Sequence, residues 1–143
     1  METQLPSAPS CYVFDASSLI ELERRPNGRG LRDMPDHPGK WLVVPSKVAK
    51  QVDSQGAPAE TKNWIANGKP ATFIGSDEAR MFMRIRVQER LLEDADIQGI
   101  VIAYHRKGTY VVEEGRAKAL AKNLGTRCIS GITFLSEVQP PLL

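Results

Sequence analysis

Short apolar runs alternate with longer stretches of helical period along this chain. "CYVF" (11–14), "WLVVP" (41–45), "TYVV" (109–112) and "TRCIS" (126–130) are brief and rich in aromatic or β-branched residues, the pattern of buried strands. "ATFIG" (71–75) reads as an edge strand. Between them, "SSLIELERR" (17–25) is helical and is ended by the Pro and glycines of "RRPNGRG". "SKVAKQV" (46–52) sets Val48 and Val52 on one helical face, and "TKNWIANG" (61–68) is a short helix stopped by Gly68, with "DSQGAPAE" (53–60) as the loop between them. The longest helical stretch is "SDEARMFMRIRVQERLL" (76–92), whose face of Phe82, Ile85, Glu89 and Leu92 is imperfectly apolar. In "EDADIQGIVIAYHRKG" (93–108), Asp94 or Asp96 opens a helix that closes near Gly108. "EGRAKALAKNLG" (114–125) is a helix, and "GITFLSEV" (131–138) is a turn with a short tail helix.

Strands that are short and nearly all apolar, alternating with helices, predict an α/β fold with a parallel sheet covered by helices on both faces. Residues 1–10 read as a flexible leader and 11–143 as one domain, and 143 residues bury a core without staples.

Composition narrows the classes. Apolar residues make up 41% of the chain, against disorder, and the formal charge of +2 is too small to identify a polyanionic partner. Two cysteines, Cys11 and Cys128, give neither a zinc spacing nor a disulfide framework. The start "METQLPSAPS" lacks the basic and apolar parts of a signal peptide, and no apolar run reaches the 18 or so residues of a membrane span. The expectation is a soluble cytoplasmic protein.

The acids carry the chemistry. Asp15 follows the first strand, Glu113 and Glu114 follow "TYVV", and Asp96 stands near a helix start. In a parallel sheet these positions share the edge where strands end and helices begin, which is where ligands bind. Each acid alone has an ordinary use as a helix cap or first-turn charge. Together, convergent carboxylates call for compensation, and a hard divalent cation such as Mg²⁺ or Mn²⁺ supplies it. Such an ion activates water against a phosphate, so the cluster points to phosphodiester hydrolysis with no side-chain nucleophile. Arg24, Arg25, Arg29 and Arg32 lie beyond the first helix, as candidate phosphate contacts. Arg80, Arg84, Arg86 and Arg90 stand on the long helix, and His105, Arg106 and Lys107 at the helix end away from the acids. Neither His37 nor His105 belongs to a nucleophile motif.

From residue 11 to about 138 the order of these segments resembles the PIN-domain nucleases, among them toxin ribonucleases of the VapC type. The resemblance rests on "VFDASSLIEL", "VPSKVAKQV", "DIQGIVIA", "YVVEEGRAKALAKNLG" and "ISGITFL". It implies a three-layer α/β/α fold with a short, mainly parallel sheet. It also implies a metal site with Asp15 as first ligand and Ser17 as its supporting hydroxyl. Asp96 would be a further ligand, with Asp94 as the alternative, and Glu114 would complete the site, with Glu113 close behind. Gln51 stands where the family has an acid, and would orient water or substrate; Glu60 and Glu21 are the acids that could compensate, while Asp53 would point elsewhere. The implied activity is a Mg²⁺- or Mn²⁺-dependent endoribonuclease acting on RNA, with a protein antitoxin as a partner and a homodimer formed through "ARMFMRIRV". Two rival readings are a catalytically impaired PIN-like domain that binds RNA or a protein, and an acidic-edge signalling domain with Asp15 as phosphoacceptor.

Overall fold

The computed structural model of the chain describes residues 11–23, 41–54, 56–57, 59–68, 70–71 and 75–138, except the side chains at 23 and 60. Four strands form one sheet: β1 (Tyr12–Phe14), β2 (Leu42–Val43), β3 (Thr109–Val111) and β4 (Cys128–Ile129). Their order is β2-β1-β3-β4 and every pairing is parallel, with Val13 opposite Val43 on one side and Tyr110 on the other. The helices among the described residues are α1 (Ala16–Glu23), α2 (Ser46–Ser54), α3 (Ala59–Ala66), α4 (Gly75–Gln88), α5 (Asp94–His105), α6 (Arg116–Asn123) and α7 (Gly131–Val138).

The alternation of side chains along each strand divides the core in two. Tyr12, Phe14, Leu42 and Val111 face one layer, with Leu19 and Leu22 of α1, Trp64 of α3 and Phe134 of α7. Phe14 meets the Phe134 and Trp64 rings edge-on, with centroids 4.9 and 6.1 Å away. Val13, Val43, Tyr110 and Val112 face the other layer, where α5 supplies Ile97, Ile100 and Val101 and α6 supplies Ala117 and Ala121. The result is the expected three-layer α/β/α architecture around a short parallel sheet. No helix among the described residues is long and apolar enough to cross a membrane.

Several elements differ from their sequence-based outlines. The segment "ATFIG" yields a single parallel bridge, Ala71 to Pro45, with 72–74 outside the described residues. Helix α4 ends at Gln88, although the apolar period runs on to Leu92. Arg86 takes the Glu89 carbonyl (2.7 Å) and the Asp94 carboxylate (2.9 Å), closing α4 and stapling it to the start of α5. Leu92 still reaches the core, but from the turn between the helices. The loop predicted over 53–60 is shorter, because α2 runs to Ser54 and α3 starts at Ala59.

Two contacts set the layer that carries α5. Gly108 lies so close to β1 that a Cβ there would meet Cys11 Sγ at 2.6 Å and the Cys11 carbonyl at 3.0 Å. Buried Gln98 accepts the Lys47 backbone N–H (2.7 Å) and donates to Ser46 Oγ (3.1 Å). It thereby satisfies an N–H at the start of α2 that has no partner within its own helix.

The connectivity also defines a crevice. From β1 the chain crosses by α1 to β2 on one flank, while β3 continues through α6 to β4 on the other. The point where the order reverses lies between the C-terminal ends of β1 and β3, the place where open α/β sheets bind ligands.

Candidate functional site

Asp15 is the first residue past β1, and its backbone N–H donates to the Val111 carbonyl of β3 (3.1 Å). Its Oδ1 accepts the Ser18 N–H (2.8 Å), so it does cap α1. Its Oδ2 accepts the Ser17 hydroxyl (2.9 Å). The residue is only 8% exposed. Burial pushes its carboxyl above the ordinary value, bonds from Ser18 and Ser17 pull it part-way down, and the charge of Glu113 adds to the rise.

Asp96 sits in the first turn of α5 and accepts the Glu93 backbone N–H (3.1 Å). Its carboxyl is also raised, first by burial and then by the charges of Asp15 and Glu93, against the Glu93 N–H bond. Glu113, two residues past β3, is half-buried, and its Oε1 accepts the Gly131 N–H at the start of α7 (3.2 Å). Asp15 therefore lies in the field of Glu113, and Asp96 in the field of Asp15, at the β1–β3 crevice.

Glu114 is not in this group. Its side chain is 88% exposed and ion-paired with Lys118 one turn on, which lowers its carboxyl. Gln51 is half-buried on α2, and its Nε2 donates to Glu93 Oε2. Asp94 is turned to Arg86 (2.9 Å), Asp53 lies near Lys62 (3.9 Å), and Glu21 is exposed on α1. The side chain of Glu60 and all of Arg24, Arg25, Arg29 and Arg32 lie outside the described residues. Arg80, Arg84 and Arg90 are exposed, while Arg106 pairs with buried Glu78 (3.1 Å). Both cysteines are free thiols.

Sequence reasoning passed over two residues here. Glu93 is the N-cap of α5, in place of Asp94 or Asp96. The end of the buried apolar period at Leu92 was the available signal, because the next polar residue then precedes the new helix. Tyr110 read only as a strand aromatic. Its hydroxyl is fully buried without a hydrogen-bond partner among the described residues, and burial followed by the charges of Asp15 and Asp96 raises it well above a phenol's ordinary value. It reaches under α5 beside Gly99, where an added Cβ would stand 3.0 Å from the ring and 3.3 Å from the hydroxyl oxygen.

In kind, this donor set suits Mg²⁺ or Mn²⁺, which take carboxylate oxygens and waters. Asp96 Oδ1 and Glu113 Oε2 carry no hydrogen bond among the described residues. Among the described residues, no three His, Cys, Asp or Glu side chains form a group that could hold a metal ion. The acids are thus electrostatic neighbours rather than a formed coordination sphere.

Comparison with known families gives a match over residues 11–139 to a model described as a PIN domain. No curated protein matches the chain.

Proposed function

From the premise that the chain belongs to the PIN-domain family, we propose that it is a Mg²⁺- or Mn²⁺-dependent endoribonuclease that hydrolyses RNA phosphodiester bonds. The observation that supports this most is the buried Asp15 carboxylate at the β1–β3 crevice, which feels the charge of Glu113 and is felt by Asp96. When bound, the cation supplies positive charge to the scissile phosphate and acidifies a water. Asp15, Asp96 and Glu113 would hold it, each through a carboxylate already fixed by a backbone N–H. Ser17 orients Asp15 through Oδ2. Glu113 takes the ligand role over Glu114, because Glu114 is engaged with Lys118 at the surface.

Arg24, Arg25, Arg29 and Arg32 are the proposed phosphate contacts, and the toxin role with a protein antitoxin belongs to the same reading. The homodimer would use the apolar stripe Met83, Val87 and Leu91, which is 61–74% exposed. The experiment is cleavage of a mixed-sequence RNA with Mn²⁺. Wild type should cut, and Asp15→Asn and Asp96→Asn should each lose at least about 100-fold, on the scale of losing a group that acts directly in catalysis. Equal traces in all three would sink the enzyme reading.

One observation favours a second reading. Gln51 brings no charge where the resemblance places an acid, so a catalytically impaired domain that binds RNA or a protein partner is the alternative. RNA retention on a filter without cleavage, at any Mn²⁺ concentration, would select it.

A further inference from the structure

Helices α4 and α6 both pack on α5 and leave a groove of about 450 Å³ between them. Helix α4 runs antiparallel to α5, fixed at one end by Arg86 on Asp94 (2.9 Å) and at the other by Arg106 on buried Glu78 (3.1 Å). Met81 and Ile85 of α4 and Leu120 and Leu124 of α6 give the groove apolar walls, each pair spaced four apart. Tyr104, 45% exposed, closes the Asp77 end, its ring edge-to-face with His105 (5.2 Å between centroids). Arg80 and Arg84 stand along the rim one turn apart. Both are exposed, and neither has an ion pair among the described residues. Asp77 and Glu89 mark the two ends, about 18 Å apart along the helix axis. None of Asp15, Asp96 and Glu113 lines this groove, and neither does the stripe of Met83, Val87 and Leu91.

We propose that the α4–α6 groove docks an acidic amphipathic helix of another protein, whose carboxylates meet Arg80 and Arg84 while its apolar side chains enter between the two helices. The site is independent of the metal-dependent reading. Charge complementarity names the occupant. Cations at i and i+4 stand about 6 Å apart, the spacing of carboxylates one turn apart on a facing helix. The apolar pairs have the same spacing and take anchors one turn apart on that helix, as grooves that hold amphipathic helices do. Tyr104 adds an apolar ring with a polar tip at the rim. The acids at the ends select against RNA. A strand carries a phosphate at every nucleotide, so one laid along the groove would set phosphates against Asp77 or Glu89. A helix of about 12 residues spans the same length with its acids only in the middle, and basic residues at its ends would pair with Asp77 and Glu89.

The probe is a fluorescein-labelled, end-capped helical peptide of about 14 residues, long enough to span the groove. It carries two leucines four apart and two glutamates four apart on the adjoining stripe, on an Ala and Gln background. A twin peptide has lysines in place of the glutamates. Fluorescence anisotropy with the full chain should show saturable binding of the glutamate peptide at roughly 100 µM or tighter, and none of the lysine peptide. The double variant Arg80→Glu/Arg84→Glu changes only exposed positions and should keep the wild-type circular dichroism. It should weaken the glutamate peptide about 10-fold or more, as two charge pairs become repulsive, and should gain binding of the lysine peptide. That exchange of partners is a result that damage to the fold does not produce. No saturable binding of the glutamate peptide to about 1 mM, or equal affinity for both peptides, would overturn the inference. A short single-stranded RNA that displaces the peptide, and itself loses binding in the double variant, would give the groove to nucleic acid and overturn it too. So would a wild-type dimer that the glutamate peptide dissociates, since the groove would then hold a second copy of the chain.

Discussion

Asp15 serves two purposes that compete for its charge. As the cap of α1 it accepts Ser18 N–H, yet its burial and the nearby Glu113 disfavour the ionised form. Its carboxyl is raised in the folded chain, against about 3.9 when unfolded. Between the unfolded and folded values the native state binds more protons, so stability falls as pH rises through that window. Asp15→Asn keeps an oxygen for Ser18 and removes the charge. Without metal it should be more stable than wild type at pH 7 by roughly 1 kcal/mol, the scale of one badly compensated buried polar group. The gain should shrink to nothing as pH falls through the raised folded pKa toward the unfolded value. Urea unfolding across pH 3.5–8 checks the sign. The same substitution should lower the titration of Asp96, whose carboxyl feels Asp15, and carbon-detected NMR reads that directly. Asp15 and Asp96 were legible in the sequence because a strand end and a helix start place them whatever the details. The choice between Glu113 and Glu114 was not. Strand alternation ends at Val111, and which acid turns inward depends on a bond to Gly131 and a pairing with Lys118.

At the scale of elements, polar side chains decide what apolar period leaves open. Period alone carried the long helix to Leu92; Arg86, bonded to the Glu89 carbonyl and to Asp94, marks where α4 closes and α5 begins. That turn makes Glu93 a cap and brings it to Gln51, a contact between residues far apart in sequence with no local signal. The parallel sheet was legible because four apolar segments needed helices between them; the register of α2 on α5 was not, since it rests on the single buried side chain of Gln98. Gln98→Leu keeps the volume but strips the Lys47 N–H of its acceptor. It should cost about 1–3 kcal/mol in urea unfolding. It should also speed hydrogen exchange at the start of α2, while the amides of β3 remain protected. Uniform faster exchange everywhere would show that Gln98 stabilises the fold without setting this register.

At the scale of the molecule, what the core leaves outside is as informative as what it encloses. Met83 and Val87 on α4, and Leu91 in the turn after it, are spaced four apart and stand 61%, 74% and 74% exposed. The face of α4 that packs inward is carried instead by Ile85 and by Glu78, whose carboxylate is paired with Arg106. An apolar stripe on the solvent side of a helix is the kind of surface that a partner covers, and the proposed homodimer gives it one. Val87→Lys tests this without touching the core. Lys is a better helix former than Val, and an exposed substitution changes monomer stability by at most about 0.5 kcal/mol. Sedimentation velocity at tens of micromolar should therefore show a dimer for wild type and a monomer for Val87→Lys, with the same circular dichroism. A wild-type monomer over that range would remove the homodimer, and the stripe would then be free for a different protein.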